Sequence, residues 1–222
     1  MHDHSHHDHK QRLSMDDYLP TTTRLEAFSD AVIAIIMTIL ILGIQIPQAG
    51  GGAGATDAMT NSQAFSLLAS LGPNFFAFIL SFLALAIYWV NHHFFFANVE
   101  FTDKWLLWYN NHLLFWLAII PFATQFLGQH PTLPVAIAVY GFVMAMGAFA
   151  FTLMGHYVFF ESKLISDDIS QPLREREFNR SRFGTFVYAL TIPLAFFLPY
   201  VSWAVFLLLP AYFFFPRRLG GM

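Results

Sequence analysis

A group of ionisable and polar side chains lies at the start of the first long apolar segment. It comprises Arg24, Glu26, Ser29 and Asp30, and residues 31–46 that follow contain no ionisable group. An acidic residue near a helix N-terminus is favoured by the helix dipole, and a serine there can cap free N–H groups. The alternative interpretation is a buried polar network of Arg24, Ser29 and Asp30 that holds the helix against its neighbours.

Histidines are the second group that could do chemistry, as metal ligands. Five lie in an N-terminal tail with alternating aspartates: His2, His4, His6, His7 and His9. Such a tail can chelate a transition metal, but the favoured interpretation is a solvated, disordered segment without a ligand. No metal site and no cofactor are therefore predicted.

Internal histidines occur near asparagines. His92 and His93 form one pair, and His112 follows near Asn110 and Asn111. A metal-dependent membrane enzyme would need further His pairs to gather its ligands, so this class is not favoured. The predicted role is hydrogen bonding between helices, because polar groups in an apolar environment need partners.

The composition is that of a membrane protein. Apolar residues make up 56% of the 222 residues, charged residues make up 11%, and the mean hydropathy is +0.52. A soluble domain carries roughly 25% charged residues. The net charge of −3 argues against nucleic acid as a partner, and the absence of cysteine excludes thiol catalysis and Cys-ligated metals. No acid pair, activated nucleophile or phosphate-binding loop is visible, so no enzyme is predicted.

Long apolar segments predict an all-α integral membrane protein, because a helix that crosses a bilayer needs ~20 apolar residues. The approximate spans are residues 24–46, 64–96, 106–127, 133–160, 183–199 and 200–215, which form one domain over 24–215. The last block is divided because residues 183–215 would exceed one crossing at ~1.5 Å per residue. Pro193, Pro199 and Pro210 supply the predicted breaks. Residues 1–23 form the His-rich tail, and 216–222 form the C-terminus.

Basic residues test this count of spans. All eleven lie in the N-terminal region, in alternate loops or at the C-terminus: Lys10, Arg12, Arg24, Lys104, Lys163, Arg174, Arg176, Arg180, Arg182, Arg217 and Arg218. The other loops contain none. Because cytoplasmic loops are enriched in Lys and Arg, this pattern predicts six crossings of the cell membrane, with both termini cytoplasmic.

The first span carries a stripe of apolar residues. Phe28, Ile35, Ile39, Leu42 and Ile46 fall within about 60° of one another at ~100° per residue, and Thr38 lies beside them. Periodicity leaves open whether this stripe faces lipid, another helix or a pore.

Residues 24–30 read Arg-Leu-Glu-Ala-Phe-Ser-Asp and contain an R-x-x-x-F-S-D signature. This signature, together with the span count and the loop charges, resembles the transmembrane protein 175 family of potassium channels in its prokaryotic single-repeat form. The resemblance implies a homotetramer of six-helix subunits, without cofactor, in which the first spans line a central pore for K⁺. The sequence contains no Thr-Val-Gly-Tyr-Gly segment, so no ring of backbone carbonyls is available as a filter.

The resemblance also implies roles for individual residues. Ile35 falls at the main constriction, and Thr38, Ile39 and Leu42 follow along the pore. The signature residues form a network near the cytoplasmic mouth, with Trp89 and His92 as further candidates: Arg24, Phe28, Ser29 and Asp30.

Three functions are therefore compared. The first is a passive potassium-permeable channel whose partners are other copies of the chain, lipid and monovalent cations. The second is a secondary or proton-coupled transporter, which would need an ionisable site near the midplane and broken helices. The third is a membrane scaffold that senses metal through its His-rich tail.

Overall fold

The structure is a computed structural model and describes residues 22–46, 60–165 and 169–214. These ranges are helical and contain no strand, apart from one isolated antiparallel bridge between Val99 and Ile165. The α-helices are α1 (Thr22–Ile39), α2 (Asn61–Ser70), α3 (Gly72–Phe96), α4 (Lys104–Gln129), α5 (Pro134–His156), α6 (Gln171–Phe197) and α7 (Pro199–Phe214). A 3-10 turn, Leu40–Gly43, continues α1, and a π-helical turn, Tyr157–Glu161, continues α5.

Four helical segments in the described ranges are long and apolar enough to cross a membrane: Thr22–Gly43, Gly72–Phe96, Lys104–Gln129 and Pro134–Glu161. The helices α6 and α7 are not among these four. The first turns of α6 are rich in charged residues, and α7 is apolar but has only 16 residues.

Some prolines lie at the start of a helix, and others lie inside a helix. Pro73 stands in the first turn of α3, after a break that separates α2 from α3 within the predicted second span. Pro199 begins α7, as expected from the division of the last apolar block. Pro193 and Pro210 lie inside continuous helices instead of ending them. Such prolines are tolerated in membrane helices because neighbouring groups satisfy the freed carbonyls.

Contacts between loops show that the long helices run in alternate directions. The backbone N–H of Glu100 donates to the Leu164 carbonyl at 2.8 Å and joins the α3–α4 and α5–α6 loops at one end. Trp203 Nε1 donates to the Pro131 carbonyl at 3.1 Å, so α7 begins at the opposite end, beside the α4–α5 turn.

The end that contains Glu100 and Leu164 is the basic end of the bundle. Lys104 begins α4 there, Lys163 lies in the adjoining loop, and the basic residues of α6 follow. Arg180 of α6 donates to the carbonyl of Phe213 at 3.3 Å, so the last turn of α7 returns to this end.

The core is formed around α5, which packs between α4 and α6. Small residues allow close approach: a Cβ on Gly141 would lie 2.2 Å from Thr191 Oγ1 of α6. Membrane helices associate through such contacts because lipid provides little hydrophobic drive between them. This compact half supports α1, which packs against α3 and α4.

Candidate functional site

One face of α1 is buried against α3 and α4. Leu25, Ser29, Ile33, Ile36 and Leu40 recur at a spacing of three and four residues, and Ser29 and Ile33 have no exposed surface. This spacing is that of one helix face. The signature serine thus lies on the side of α1 that packs within the chain.

A directed chain of hydrogen bonds holds this face. Asn110 Nδ2 donates to Ser29 Oγ at 2.9 Å, and Ser29 Oγ donates to the Leu25 carbonyl, also at 2.9 Å. The amide oxygen of Asn110 can only accept, so Nε2 of His92 is the donor in their 2.9 Å contact. These hydrogen bonds link α3, α4 and α1. All three side chains are buried: His92, Asn110 and Ser29.

The other ring nitrogen of His92 takes no part in these hydrogen bonds. Its Nδ1 is buried and has no hydrogen-bond partner among the described residues. The ring packs on Phe96 with centroids 4.5 Å apart.

Asp30 makes a separate link between α1 and α3. Trp89 Nε1 donates to Asp30 Oδ1 at 3.0 Å, and both side chains are partly exposed. The structure therefore brings the two added candidates, Trp89 and His92, beside the signature: Trp89 contacts Asp30 directly, and His92 reaches Ser29 through Asn110.

The remaining signature residues point outwards. Arg24 is exposed and has no hydrogen bond or ion pair among the described residues, so it is not a partner of Asp30 within one chain. Phe28 is 53% exposed. In a single subunit the signature therefore divides into Ser29 and Asp30, which form hydrogen bonds with other helices, and Arg24 and Phe28, which are exposed.

The stripe that runs from Phe28 to Ile46 is exposed along its whole length. Ile35 is 57% exposed and Leu42 is 72% exposed, and the side chains of Ile39 and Ile46 are also exposed. Thr38 is exposed on the same side, and its hydroxyl donates to the Ile35 carbonyl at 2.8 Å. That bond uses the hydroxyl proton, so the lone pairs of the exposed oxygen can still accept a hydrogen bond or coordinate a cation.

Asn110 is the residue that sequence reasoning did not assign to the signature. Asn110 is buried, whereas its neighbour Asn111 is exposed. The spacing places one face of α4 together, but only the structure shows that this face is buried: Leu106, Asn110, Leu113 and Leu117. An asparagine on such a face needs a partner from another helix.

No group of three or more potential metal ligands occurs among the described residues. The histidines of the N-terminal tail lie outside the described ranges, so the metal hypothesis for them stays a prediction.

Comparisons with known proteins agree on one family. The family model described as "Endosomal/lysosomal potassium channel TMEM175" matches residues 24–121, which include the signature, Trp89, His92 and Asn110. A protein from Chryseobacterium sp. (strain P1-3), named as a potassium channel, is 33% identical over 202 residues, which are 89% of this chain and 95% of that protein. A second named potassium channel, from Streptomyces collinus, is 34% identical over 78% of this chain and 82% of that protein.

The fold agrees with the same family. The crystal structure of a protein from Chamaesiphon minutus, described as a lysosomal potassium-selective channel TMEM175 homolog, superimposes with a TM-score of 0.73. It is 31% identical and covers 86% of this chain and 95% of its own. The resemblance inferred from the signature is confirmed: the chain is a multi-pass membrane protein that belongs to the TMEM175 family.

Proposed function

We propose that the protein is a potassium channel that conducts passively along a central pore lined by α1 from each subunit of a homotetramer. The exposed apolar face of α1 is the observation that carries this proposal. Its opposite face is buried against α3 and α4, whereas the face with Ile35 and Leu42 is not covered by any of the described residues. One helix face cannot enclose a path, so several copies around an axis are required.

Bacterial relatives support the choice of ion. The bacterial proteins that match most of this chain are named as potassium channels. Residues 31–46, which form the rest of α1 and the segment after it, contain no charged residue. Ion selection there would therefore depend on pore diameter, dewetting and hydroxyl oxygens.

Ile35 and Thr38 have different roles in this proposal. A ring of Ile35 side chains forms the apolar constriction, which opposes hydrated ions because narrow apolar passages dewet. Thr38 lies almost one turn further along and offers its oxygen to a partly dehydrated cation. Ile39 and Leu42 continue the wall beyond it. The permeant K⁺ is substrate, and no resident cofactor takes part.

The membrane topology is part of the proposal. Six helices, α1 and α3 to α7, cross the cell membrane, and the basic end faces the cytoplasm together with both termini. The support is the alternation of helix directions and the position of the described basic residues at one end. With 16 residues at ~1.5 Å each, α7 is shorter than a ~30 Å hydrocarbon core, so its crossing needs local thinning of the bilayer.

Cysteine labelling tests this topology, because the native chain contains no cysteine. Thr132→Cys, in the α4–α5 turn, is expected to react with an impermeant maleimide from outside intact cells. Lys163→Cys, at the other end of α5, should react only after the membrane is permeabilised. The reverse result would overturn the proposed orientation.

Recordings in planar bilayers under bi-ionic K⁺/Na⁺ conditions test the pore itself. Ile35→Asn is expected to hydrate the constriction, raise the basal current and shift the reversal potential towards equal permeability. Thr38→Ala should weaken the preference for K⁺ with a smaller rise in current. Phe186→Asn on α6, where the native side chain is 67% exposed, is the control and should change neither property.

Unchanged reversal potentials for both α1 variants would remove α1 from the selectivity mechanism. Native mass spectrometry of the same preparations is expected to show a tetramer. A monomer that still conducts would contradict the shared pore.

The other functions have less support from the described residues. A proton-coupled transporter needs an ionisable group near the midplane, whereas residues 31–46 contain none and the Asp30 carboxylate is hydrogen-bonded to Trp89. A metal-sensing scaffold would depend on the tail alone. Deletion of residues 1–12 should therefore leave the K⁺ flux unchanged in a flux assay.

A further inference from the structure

A cavity of about 620 Å³ lies between α3, α5, α6 and α7. Its volume is within the range of ~300–1,000 Å³ that is usual for small-molecule sites. None of its lining residues comes from α1, so it is separate from the proposed pore.

The body of the cavity is apolar. Phe95, Phe151 and Phe159 contribute aromatic walls, and small residues such as Ala148 and Gly155 leave the space open. A Cβ on Gly155 would meet only the Phe159 ring, at the ordinary contact distance of 3.7 Å. This aromatic and aliphatic part of the lining suits a hydrocarbon chain.

One side of the cavity is polar and contains more basic than acidic side chains. Two arginines and one glutamate of α6 line it: Arg174, Arg180 and Glu177. The Nε of Arg174 donates to the Ile169 carbonyl at 2.9 Å, and Nη2 of Arg180 donates to the Phe213 carbonyl at 3.3 Å. These bonds hold both guanidinium groups at the wall.

Arg180 keeps donor capacity in this position. Its Nη1 lies 3.8 Å from Glu177 Oε2, which is an ion-pair distance and too long for a hydrogen bond. Its guanidinium carbon lies 5.0 Å from the centre of the Phe213 ring. A guanidinium presents five N–H groups, and this geometry leaves several of them for an anion such as a phosphate.

The arginines lie at the basic end of the bundle. Asn98, which also lines the cavity, precedes the bridge residue Val99, and that bridge joins the two loops at this end. The cavity therefore combines an apolar interior with a cationic rim near the membrane edge. Basic pockets between membrane helices on the cytoplasmic side bind the headgroups of anionic lipids.

We propose that each subunit holds one anionic phospholipid here, with an acyl chain in the cavity and its phosphate hydrogen-bonded to Arg180 and Arg174. A zwitterionic lipid of the same chain length fills the same space but brings a compensating positive charge to the rim. Binding should therefore depend on both the headgroup charge and the free volume.

Native mass spectrometry of the delipidated full-length protein tests the proposal. Phosphatidylglycerol and phosphatidylcholine with identical oleoyl chains are titrated separately, with oleic acid as a third probe. Phosphatidylglycerol is expected to bind once per subunit and more tightly than the other two. Arg180→Gln should weaken it by roughly fivefold, the usual contribution of one basic residue near a lipid surface, and addition of Arg174→Gln should weaken it further.

Two further variants separate charge from space. Arg176→Gln removes an exposed arginine of the same helix that does not line the cavity, so it should leave binding unchanged. Gly155→Leu fills the cavity and should weaken phosphatidylglycerol and phosphatidylcholine alike. It serves as an independent test if the arginine variants fail to fold.

Equal affinity for the two phospholipids, or affinities that neither Arg180→Gln nor Gly155→Leu changes, would overturn the proposal. Tighter binding of oleic acid would replace the phospholipid by a free fatty acid and would also overturn it. The readout is bound lipid and not ion flux, so this result is independent of the proposed channel activity.

Discussion

The two faces of α1 are built from similar residues and have opposite surroundings. Ile35 and Ile36 are adjacent in sequence, yet Ile35 is 57% exposed and Ile36 is 5% exposed. The buried face also contains a serine whose hydrogen bonds are met by Asn110 and Leu25. The exposed face carries Thr38 and a series of apolar side chains that no other described part of the chain covers.

This difference separates stability from conduction along one helix. Substitutions on the buried face remove contacts within the subunit, so they should lower its stability. Substitutions on the exposed face should alter what passes along it, or how subunits meet, while the fold of the subunit is kept.

The two neighbouring isoleucines give the strongest test of this comparison. Ile36→Ala should destabilise the protein by about 2 kcal/mol, the lower end of the range for buried large-to-small changes, because lipid rewards burial less than water does. Ile35→Ala should change stability by no more than about 0.5 kcal/mol but should alter K⁺ flux. Thermal unfolding in detergent and liposome flux are measured for both variants. Equal losses of stability would show that the faces are not distinct.

Asn110→Ala should give the next largest effect. It removes the donor to Ser29 Oγ and the acceptor of the His92 Nε2–H, at a cost of about 1–2 kcal/mol in the free energy of unfolding. Asn111→Ala is the matched control, since Asn111 is the adjacent residue and is exposed. If both variants unfold at the same temperature, the hydrogen-bond chain does not stabilise the subunit.

The contact of Asp30 with Trp89 should contribute less. Both groups are partly exposed and the indole is neutral, so a double-mutant cycle with Asp30→Ala and Trp89→Phe should give a coupling energy of about 0.5–1 kcal/mol. Chemical denaturation of the two single variants and the double variant measures it. Additive effects, with no coupling, would mean that the bond has no energetic role.

Arg24→Gln should have the smallest effect on the subunit. Arg24 is exposed and has no partner among the described residues, so the change in unfolding free energy should stay within about 0.5 kcal/mol. Thermal unfolding of the monomeric form in harsh detergent checks this. A larger loss there would place a partner of Arg24 within its own chain.

The sequence was sufficient for the membrane class and the family, because both depend on long apolar runs and on the contiguous signature. It was less accurate on helix boundaries. The predicted second span is two helices, and α6 begins at Gln171, well before the apolar block at 183. Charged residues on helical turns outside an apolar segment do not disturb hydrogen bonds along the backbone, so hydropathy alone misses such extensions.

The candidate site was also only partly predictable from the sequence. Ser29 and Asp30 could be selected from the sequence, because polar residues in an apolar segment require an explanation. The choice of Asn110 over Asn111 as the partner of Ser29 could not be made from the sequence. A shift of one residue turns a side chain by ~100° around the helix, and only the packing of α4 decides which asparagine faces α1.

What the amino-acid sequence determined by itself is local: apolar length, charge in alternate loops and the spacing of the stripe on α1. These properties follow from the chemistry of each residue and from the period of the helix. The tertiary structure decided which face of α1 is buried, how His92, Asn110 and Ser29 align, and where the cavity beside Arg180 opens. Those features depend on contacts between helices far apart in the chain, because in an all-apolar helix hydrophobicity does not distinguish a neighbouring helix from lipid.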